Sequence, residues 1–251
     1  MQFFQTTNLA NHKLILPHVK TNEGGLSSWQ GDSAKKFPSP FINDKKGTRD
    51  YGFYYHTNKG VIWSTWIAYC KKLNIPLDGK KWLNLTNKTW ENILKTMYWD
   101  SVSGDKINSQ GIAEILFEAI WGGTSKPLFV YLQTFLREKN YDIKVDGVIG
   151  FETYTALNDY TKNNEKEIQL IKDLTKKRLE ILKSLKGWNK AKNAWSRRLQ
   201  EVEKRGIDFA KKYTKEIVEN VKQNPNTTIV TLILVGVGAY LLKFGFPRIN
   251  T

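Results

Sequence analysis

Apolar residues recur at the spacing of an amphipathic helix along most of the first 160 residues. This pattern predicts helices over about 8–22, 62–73, 89–98, 108–121, 126–139 and 151–161. The stretch KGTRDYGFYYHTNKGV, residues 46–61, breaks the pattern and ends in turn formers. It predicts a loop and a short hairpin that turns at Asn58-Lys59-Gly60. The fold class predicted is therefore mainly α, with one irregular flap.

Residues 161–222 have a simpler pattern, a long basic helical region. They carry 18 Lys and Arg against 9 Asp and Glu, which gives +9. Apolar side chains share one helical face, while the other positions are mostly charged; the apolar positions are Ile168, Ile171, Leu174, Leu179, Leu182 and Leu185. We expect this face to pack on the rest of the protein. The alternative is a surface that also binds anionic lipid.

The most apolar segment is TTIVTLILVGVGAYLLKFGF, residues 227–246, whose one charge is Lys243. Twenty helical residues span ~30 Å, the thickness of a hydrocarbon core. The segment predicts a C-terminal transmembrane helix, and a buried core helix is the alternative. The first twenty residues lack a basic start and an apolar block, so we expect no secretory signal.

The composition favours partners that are anionic or that have flat faces on which aromatic side chains can stack. The net charge is +15, which favours nucleic acid, lipid headgroups or a bacterial envelope. Nine Trp, eleven Tyr and twelve Phe suit the faces of sugars and nucleobases. The single cysteine, Cys70, excludes an intrachain disulfide, and three scattered histidines lack metal-ligand spacing. We expect no metal and no cofactor.

Glu23 is the leading candidate for chemistry. LPHVKTNEGG predicts a short helix with Pro17 in its first turn and Gly24-Gly25 at its end. A carboxyl at a helix C-terminus meets the negative end of the helix dipole, which should raise its pKa. A raised pKa is what a general acid acting on a glycosidic oxygen needs. The alternative is a surface glutamate beside a turn.

Several motifs in order carry a family resemblance. The helix ending in Glu-Gly-Gly resembles the start of the glycoside hydrolase family 108 muramidases, as do NDKKGT at 43–48 and TNKGVI at 57–62. YWDSVSGDKINSQGIAEILFEAIWGG, 98–123, is similar to the Tyr-Trp-Asp segment of that family. LQTFLREKNYDIKVDGVIGFETYTAL, 132–157, and GWNKAKNAWSRR, 187–198, resemble its peptidoglycan-binding module. The resemblance covers about residues 10–200.

The resemblance implies a lysozyme-like helical fold that hydrolyses the glycan of peptidoglycan, with Glu23 as the catalytic acid. Glycosidases usually have a second carboxylate. Asp44, which matches the loop aspartate of the family, is the first candidate for it, followed by Asp50 and Asp32. A single-acid mechanism, assisted by the substrate or by water held at Asn58, is the alternative. A turn-forming role is as good an interpretation for each aspartate.

Substrate contacts are predicted at two places. Thr57 and Asn58 could bind an N-acetyl group, or could simply fix the hairpin turn. Tyr98 and Trp99 could stack on a sugar ring, although a core position is the stronger interpretation for Trp99. The Asp146-Gly147 pair needs only turn chemistry, so we interpret it as structural.

The resemblance, together with the apolar C-terminal segment, implies a membrane-anchored N-acetylmuramidase, phage-encoded, that opens a wall at entry or at release. Its partners would be bacterial peptidoglycan and a lipid bilayer, without specific nucleic acid, and it would reside in a virion membrane or a host envelope. Because Thr48 and Ile62 depart from the family pattern, a non-catalytic peptidoglycan-binding protein is an alternative. Lytic transglycosylase and nucleic-acid binder are the others.

The predicted organisation has four parts. Residues 1–100 form the catalytic domain and 101–200 the peptidoglycan-binding-like helical module. Residues 201–226 form a basic helix and linker, and 227–246 form the transmembrane helix.

Overall fold

The computed structural model describes residues 10–48 and 50–223. They divide into two compact units: one spans His12–Ser101, and the other runs from Val102 onward and includes the segment up to Asn11. The division lies next to the domain boundary predicted at 100/101. The finer predicted divisions stay predictions, and a single helix runs through residue 200.

The first unit is built from short elements. Its helices are α1 (Leu16–Asn22), α2 (Trp63–Lys72), α3 (Gly79–Leu83) and α4 (Asn87–Ile93), the last continuing as a π-helix over Leu94–Trp99. Its strands are β1 (Leu26–Ser27), β2 (Thr57–Asn58) and β3 (Val61–Ile62). Short 3-10 turns occupy His12–Leu14, Ser33–Lys36 and Asp100–Val102.

The strands form one antiparallel sheet in the order β1-β2-β3. β2 and β3 are joined by Lys59 and Gly60, which both have positive φ, 49° and 76°. Two such residues make the type I′ turn that matches the twist of a hairpin. The predicted hairpin is confirmed, whereas the pairing of β1 with it and the short helix α3 had no sequence prediction.

Tryptophans form the core of the first unit. Trp66, Trp82, Trp90 and Trp99 are all buried. Two of them also hold the hairpin, because the indole N–H of Trp82 donates to the Val61 carbonyl at 3.3 Å and that of Trp90 to the Lys59 carbonyl at 2.9 Å. A buried indole N–H needs such an acceptor, so core packing and hairpin position are fixed together.

The second unit is built from longer helices: α5 (Gln110–Trp121), α6 (Ser125–Glu138), α7 (Phe151–Tyr160), α8 (Asn164–Ser184) and α9 (Trp188–Gln223), preceded by a 3-10 turn at Gly104–Lys106. α5 is its buried centre, with ten successive residues from Gln110 to Ala119 shielded from solvent. Gly111 of α5 and Gly206 of α9 meet backbone to backbone, since a Cβ on Gly111 would stand 2.5 Å from the Gly206 Cα.

Five of the six helices predicted in the first 160 residues match the structure to within two residues at each end, if the π-helix is counted with α4. The helix predicted over 8–22 is shorter, with a 3-10 turn at His12–Leu14 and α1 at Leu16–Asn22. The mainly α fold class is confirmed, consistent with a lysozyme-like fold. Within residues 10–48 and 50–223, none of the helices is both long and apolar enough to cross a bilayer. The transmembrane prediction for 227–246 falls outside these residues.

The Asp146-Gly147 turn is organised by the buried side chain of Gln133 in α6. Its Nε2 donates to Asp146 Oδ1 and to the Val148 carbonyl, both at 2.9 Å, and its Oε1 accepts from the Gly147 N–H at 2.7 Å. Gly147 has a φ of +78°, a conformation that favours glycine. These contacts agree with the structural interpretation of the pair.

Candidate active site

Glu23 lies at the junction between a helix and the sheet of the first unit. α1 ends at Asn22, and Glu23 follows in an extended conformation, φ −108° and ψ 132°, with a half-buried side chain. Three residues later the chain enters β1, and the Gly25 carbonyl accepts from the Lys59 N–H at 3.2 Å. A carboxylate is thereby held between two fixed elements, a rigid attachment that suits a catalytic group.

The two glycines after Glu23 do not end the helix in the way we expected. Neither Gly24 nor Gly25 has a positive φ, so the left-handed conformation that glycine commonly supplies at helix ends is absent here. Both are exposed, and an added Cβ would find no atom within 4 Å at either. The helix ends because Glu23 turns extended, and the glycines border open space beside the carboxylate.

Tyr98 is the predicted substrate residue that the structure connects with Glu23. Its hydroxyl lies 3.3 Å from Thr65 Oγ1 of α2. Burial raises the pKa of the Tyr98 phenol, the Thr65 hydrogen bond lowers it, and the negative charge of Glu23 raises it further. Tyr98 and Glu23 are therefore electrostatic neighbours, a relation that the sequence did not predict.

Trp99 has a different environment from its neighbour Tyr98. It is 0% exposed, and its ring centroid lies 6.4 Å from that of His12. A side chain without solvent-accessible surface cannot stack on a sugar from outside. The geometry supports the core interpretation for Trp99.

Thr57 and Asn58 are both buried in β2. Asn58 donates its amide hydrogens to the carbonyl oxygens of Trp82 at 2.6 Å and Leu83 at 3.1 Å. These bonds satisfy the carbonyl groups at the end of α3, which a helix leaves unpaired. They favour the hairpin-fixing role for Asn58, while a contact of Thr57 with substrate stays a prediction.

In the structure the flap is the whole segment between β1 and β2, residues 28–56, which is longer than predicted. It is organised by Asn43, a buried residue that sequence reasoning passed over in favour of its neighbour. Asn43 Nδ2 lies within 3.1 Å of Ser28 Oγ, Thr48 Oγ1 and the Asp50 carbonyl, and its Oδ1 accepts from the Tyr55 hydroxyl at 2.9 Å. The signal that could have found it is the asparagine in NDKKGT, a residue type that caps and crosslinks loops.

The three candidate second carboxylates occupy different positions. Asp44 is exposed on the flap, and its charge adds to the burial effect that raises the pKa of Tyr55. Asp50 is half-buried, and its carbonyl accepts from Ser28 Oγ at 3.2 Å. Asp32 caps the 3-10 turn that follows it, accepting from the Ala34 N–H at 2.9 Å. Asp32 thus has a structural role, and Asp44 and Asp50 both belong to the flap.

Five aromatic side chains of the flap are exposed. Trp29, Phe37, Tyr51, Phe53 and Tyr54 are each between 41% and 53% exposed. Tyr54 and Trp63 border an open depression together with the segment Pro38-Ser39-Pro40. Exposed aromatic rings are typical of binding surfaces, and their flat faces suit sugars.

A half-buried glutamate held between a helix and a sheet, in a unit with exposed aromatic rings, suits a glycosidase. Comparison with protein families agrees: residues 16–123 match the glycosyl hydrolase 108 model, and residues 128–199 match the model described as a predicted peptidoglycan domain. The chain therefore carries a glycosyl hydrolase 108 region followed by a peptidoglycan-domain region, which together support a glycoside hydrolase that acts on peptidoglycan.

Among solved structures, the protein is similar to one titled "Structure of Brucella abortus SagA". The two share 21% sequence identity, with a TM-score of 0.57, over 79% of this chain and 95% of the other. At this identity the likeness concerns the fold. No curated protein matches the sequence.

Within the part of the chain that the structure describes, no group of three or more His, Cys, Asp or Glu side chains is arranged to hold a metal ion. Cys70 is buried, and burial raises the pKa of its thiol.

Proposed function

We propose that the protein is an N-acetylmuramidase that cleaves the glycan strand of peptidoglycan with Glu23 as the general acid. The observation that carries the proposal is the placement of Glu23 at the end of α1, beside glycines with open space around them and next to the Tyr98 phenol. A glycan strand needs room on both sides of the cleaved bond, and Gly24 and Gly25 leave that room.

The role of Glu23 is to donate a proton to the glycosidic oxygen as the bond to the leaving sugar breaks. The phenol of Tyr98 is held by Thr65, and its pKa is raised in part by the charge of Glu23. Water then completes the hydrolysis, activated by a second carboxylate, for which Asp44 is our first candidate. The exposed rings of the flap hold the neighbouring sugars.

The test replaces Glu23 by Gln, which removes the proton but keeps the shape. General acid catalysis contributes about 10²–10⁴-fold, so clearing of a wall suspension should slow at least a hundredfold. Binding to purified sacculi should persist. The matched control is Glu91→Gln, because Glu91 is an exposed glutamate of α4 in the same unit.

Lysis by Glu23→Gln at the wild-type rate would show that the acid lies elsewhere. Loss of folding, seen as a changed circular dichroism spectrum or melting temperature, would call for the smaller change Glu23→Asp, which keeps an acid but withdraws it by one methylene. That variant should also slow lysis.

A lytic transglycosylase is the second candidate function. It needs one acid and no activated water, and the structure offers one half-buried carboxylate beside Tyr98 while Asp44 is exposed on the flap. The two reactions differ in their products, since hydrolysis leaves a reducing sugar and transglycosylation leaves an anhydro sugar.

We also propose that residues 227–246 anchor the enzyme to a membrane, either of a virion or of a host envelope. The support is the sequence alone: a twenty-residue span in which Lys243 is the one charge. The full chain should float with lipid vesicles and resist extraction by strong salt, whereas a chain ending at Asn224 should not float. Salt extraction of the full chain would point to attachment by basic residues alone, because such attachment is screened.

A further inference from the structure

The loop that joins α2 to α3 exposes apolar side chains between two pairs of lysines. Residues 71–81 read KKLNIPLDGKK, and every residue from 71 to 77 is exposed. Leu73, Ile75 and Leu77 are 41%, 42% and 53% exposed. They lie within five consecutive residues, a stretch of chain at most ~14 Å long, so they form one apolar patch with lysines on both sides. Residues 71–81 are called the basic apolar loop below.

The basic apolar loop is fixed at its base. The Ile75 N–H donates to the Cys70 carbonyl at 3.0 Å, and Asn74 ends α2 in the left-handed conformation, with a φ of +52°. Asp78 caps α3, since its Oδ1 accepts from the Lys81 N–H at 3.2 Å. Burial raises the pKa of the Cys70 thiol and a backbone hydrogen bond from Asp78 lowers it, which brings the two ends of the loop together. The apolar side chains are therefore presented by a loop that is held in place.

The charge of the loop discriminates between partners. Residues 71–81 have four Lys against one Asp, a net +3. A second copy of the chain would bring two loops of like charge together, and residues 227–246 contain no acidic side chain to pair with the lysines. Interfaces between proteins are also depleted in lysine. A bilayer with anionic headgroups offers negative charge at its surface and hydrocarbon directly beneath, which matches lysines around aliphatic side chains.

We propose that the basic apolar loop inserts into the surface of an anionic lipid bilayer. Leu73, Ile75 and Leu77 would lie at the boundary between headgroups and acyl chains, and the lysines among the headgroups. This contact is separate from the anchor proposed at 227–246 and depends on neither that anchor nor the role of Glu23. It would bring the first unit itself to the lipid surface.

The position of the loop on α2 leaves the candidate active site accessible. Thr65, which is hydrogen-bonded to Tyr98, lies in the first turn of α2, and the loop follows the last turn. Thr65 and Leu73 are eight residues apart, ~12 Å along a helix axis. An interfacial segment enters a bilayer by ~5–10 Å. With α2 upright on the bilayer, the contact between Thr65 and Tyr98 therefore stays outside the lipid while the loop is inserted.

The experiment places a fluorescent probe on the loop of the full chain. Because Cys70 is buried, Ile75→Cys supplies the reactive thiol for a nitrobenzoxadiazole dye, whose emission rises in apolar surroundings. Emission should rise at least twofold on vesicles of phosphatidylcholine and phosphatidylglycerol in equal parts. It should rise less on phosphatidylcholine alone, where the lysines gain nothing. The same dye on Leu14→Cys is the control, because Leu14 is a comparably exposed aliphatic residue of the same unit, and its emission should change less than half as much.

The apolar part of the contact is tested by Leu73→Ser together with Leu77→Ser in the chain labelled at Ile75. The pair should lower the rise on anionic vesicles at least threefold, because two of the three apolar side chains are lost. Both side chains are exposed, so the melting temperature should be unchanged.

The ionic part is tested by Lys71→Gln together with Lys80→Gln in the same labelled chain. Each lysine near an anionic surface contributes roughly fivefold to binding, so the rise on anionic vesicles should fall at least threefold. The matched control is Lys45→Gln together with Lys46→Gln, two exposed lysines of the flap, which should leave the rise intact. An equal fall in both pairs would show that net charge, and not the loop, attracts the lipid, and would overturn the proposal.

Equal emission changes at Ile75 and Leu14, no rise on anionic vesicles, or a rise that the serine pair leaves intact would also overturn the proposal. So would high emission without lipid: if it depended on protein concentration, a second copy would be the occupant, and otherwise a segment of the same chain. The dye signal does not depend on lysis, so its failure would not contradict Glu23 as the acid. A full chain that floats with vesicles while the dye stays unchanged would keep the anchor at 227–246 and remove the loop contact.

Discussion

The two units of the protein differ in the length of their elements and in the kind of contact that holds them together. The unit His12–Ser101 has short elements, a flap held by side-chain hydrogen bonds, and five large aromatic side chains exposed between Trp29 and Tyr54. The described part of the other unit has long helices around α5, and Phe151 is its one large exposed aromatic side chain.

The buried polar side chains of the two units also have different partners. In the first, Asn43 and Asn58 bind backbone and hydroxyl groups and so fix loops. In the second, Glu114 and Glu118 are buried charges paired with arginines from α8 and α9, including the pair Glu114–Arg205. In the first unit the buried polar side chains thus hold the loops in position, whereas in the second they link helices to one another. Mutations in the first unit should therefore lower turnover, whereas mutations in the second should lower stability.

The largest effect expected in this comparison is on turnover, from Asp44→Asn in the first unit. Asp44 is exposed, so the change should leave the melting temperature unaltered while lysis slows at least tenfold, as expected for the loss of a group that activates water. Initial rates of wall clearing measure the first quantity and thermal melting the second. If Asp44→Asn lyses normally and Asp50→Asn does not, the second carboxylate is the half-buried one of the flap.

A smaller effect, on stability alone, is expected from Gly147→Ala in the second unit. The φ of +78° costs a residue with a Cβ about 1–2 kcal/mol, and the new methyl would also meet Lys126 Cγ at 3.3 Å. Each kcal/mol lowers the melting temperature by about 2–4 °C in a protein of this size. Lysis at low temperature should be unchanged. Gly150→Ala is the control. An equal fall in melting temperature in the two variants would show that the positive φ of Gly147 is not the cause.

The smallest effect is a change in one titration. The charge of Glu23 disfavours the Tyr98 phenolate and so raises the pKa of Tyr98. Glu23→Gln removes that charge, and the pKa of Tyr98 should fall, whereas Glu91→Gln should not move it. Carbon-13 NMR of labelled tyrosine follows the titration. If the pKa of Tyr98 is identical in wild type and Glu23→Gln, the charge of Glu23 does not act on the Tyr98 phenol.

The helices were predictable from sequence because their apolar periodicity is strong, and the hairpin because Lys59-Gly60 can adopt positive φ. The pairing of β1 with the hairpin could not be predicted, because a strand of two residues is too short to show an alternation of apolar and polar positions. The role of Asn43 was missed because its partners come from Ser28 and Tyr55, distant in sequence. The motif order located Glu23, but its electrostatic relation to Tyr98 depends on the packing of α2 and the π-helix.

The central claim is that Glu23 drives hydrolysis of the glycan strand, and mass analysis of digested wall tests it most directly. Purified sacculi are treated with the wild-type protein and with Glu23→Gln, and the released fragments are weighed before and after borohydride reduction. We predict fragments that end in reducing N-acetylmuramic acid from the wild type and none from the variant. Fragments that end in anhydro-N-acetylmuramic acid, or equal yields from both proteins, would contradict the account.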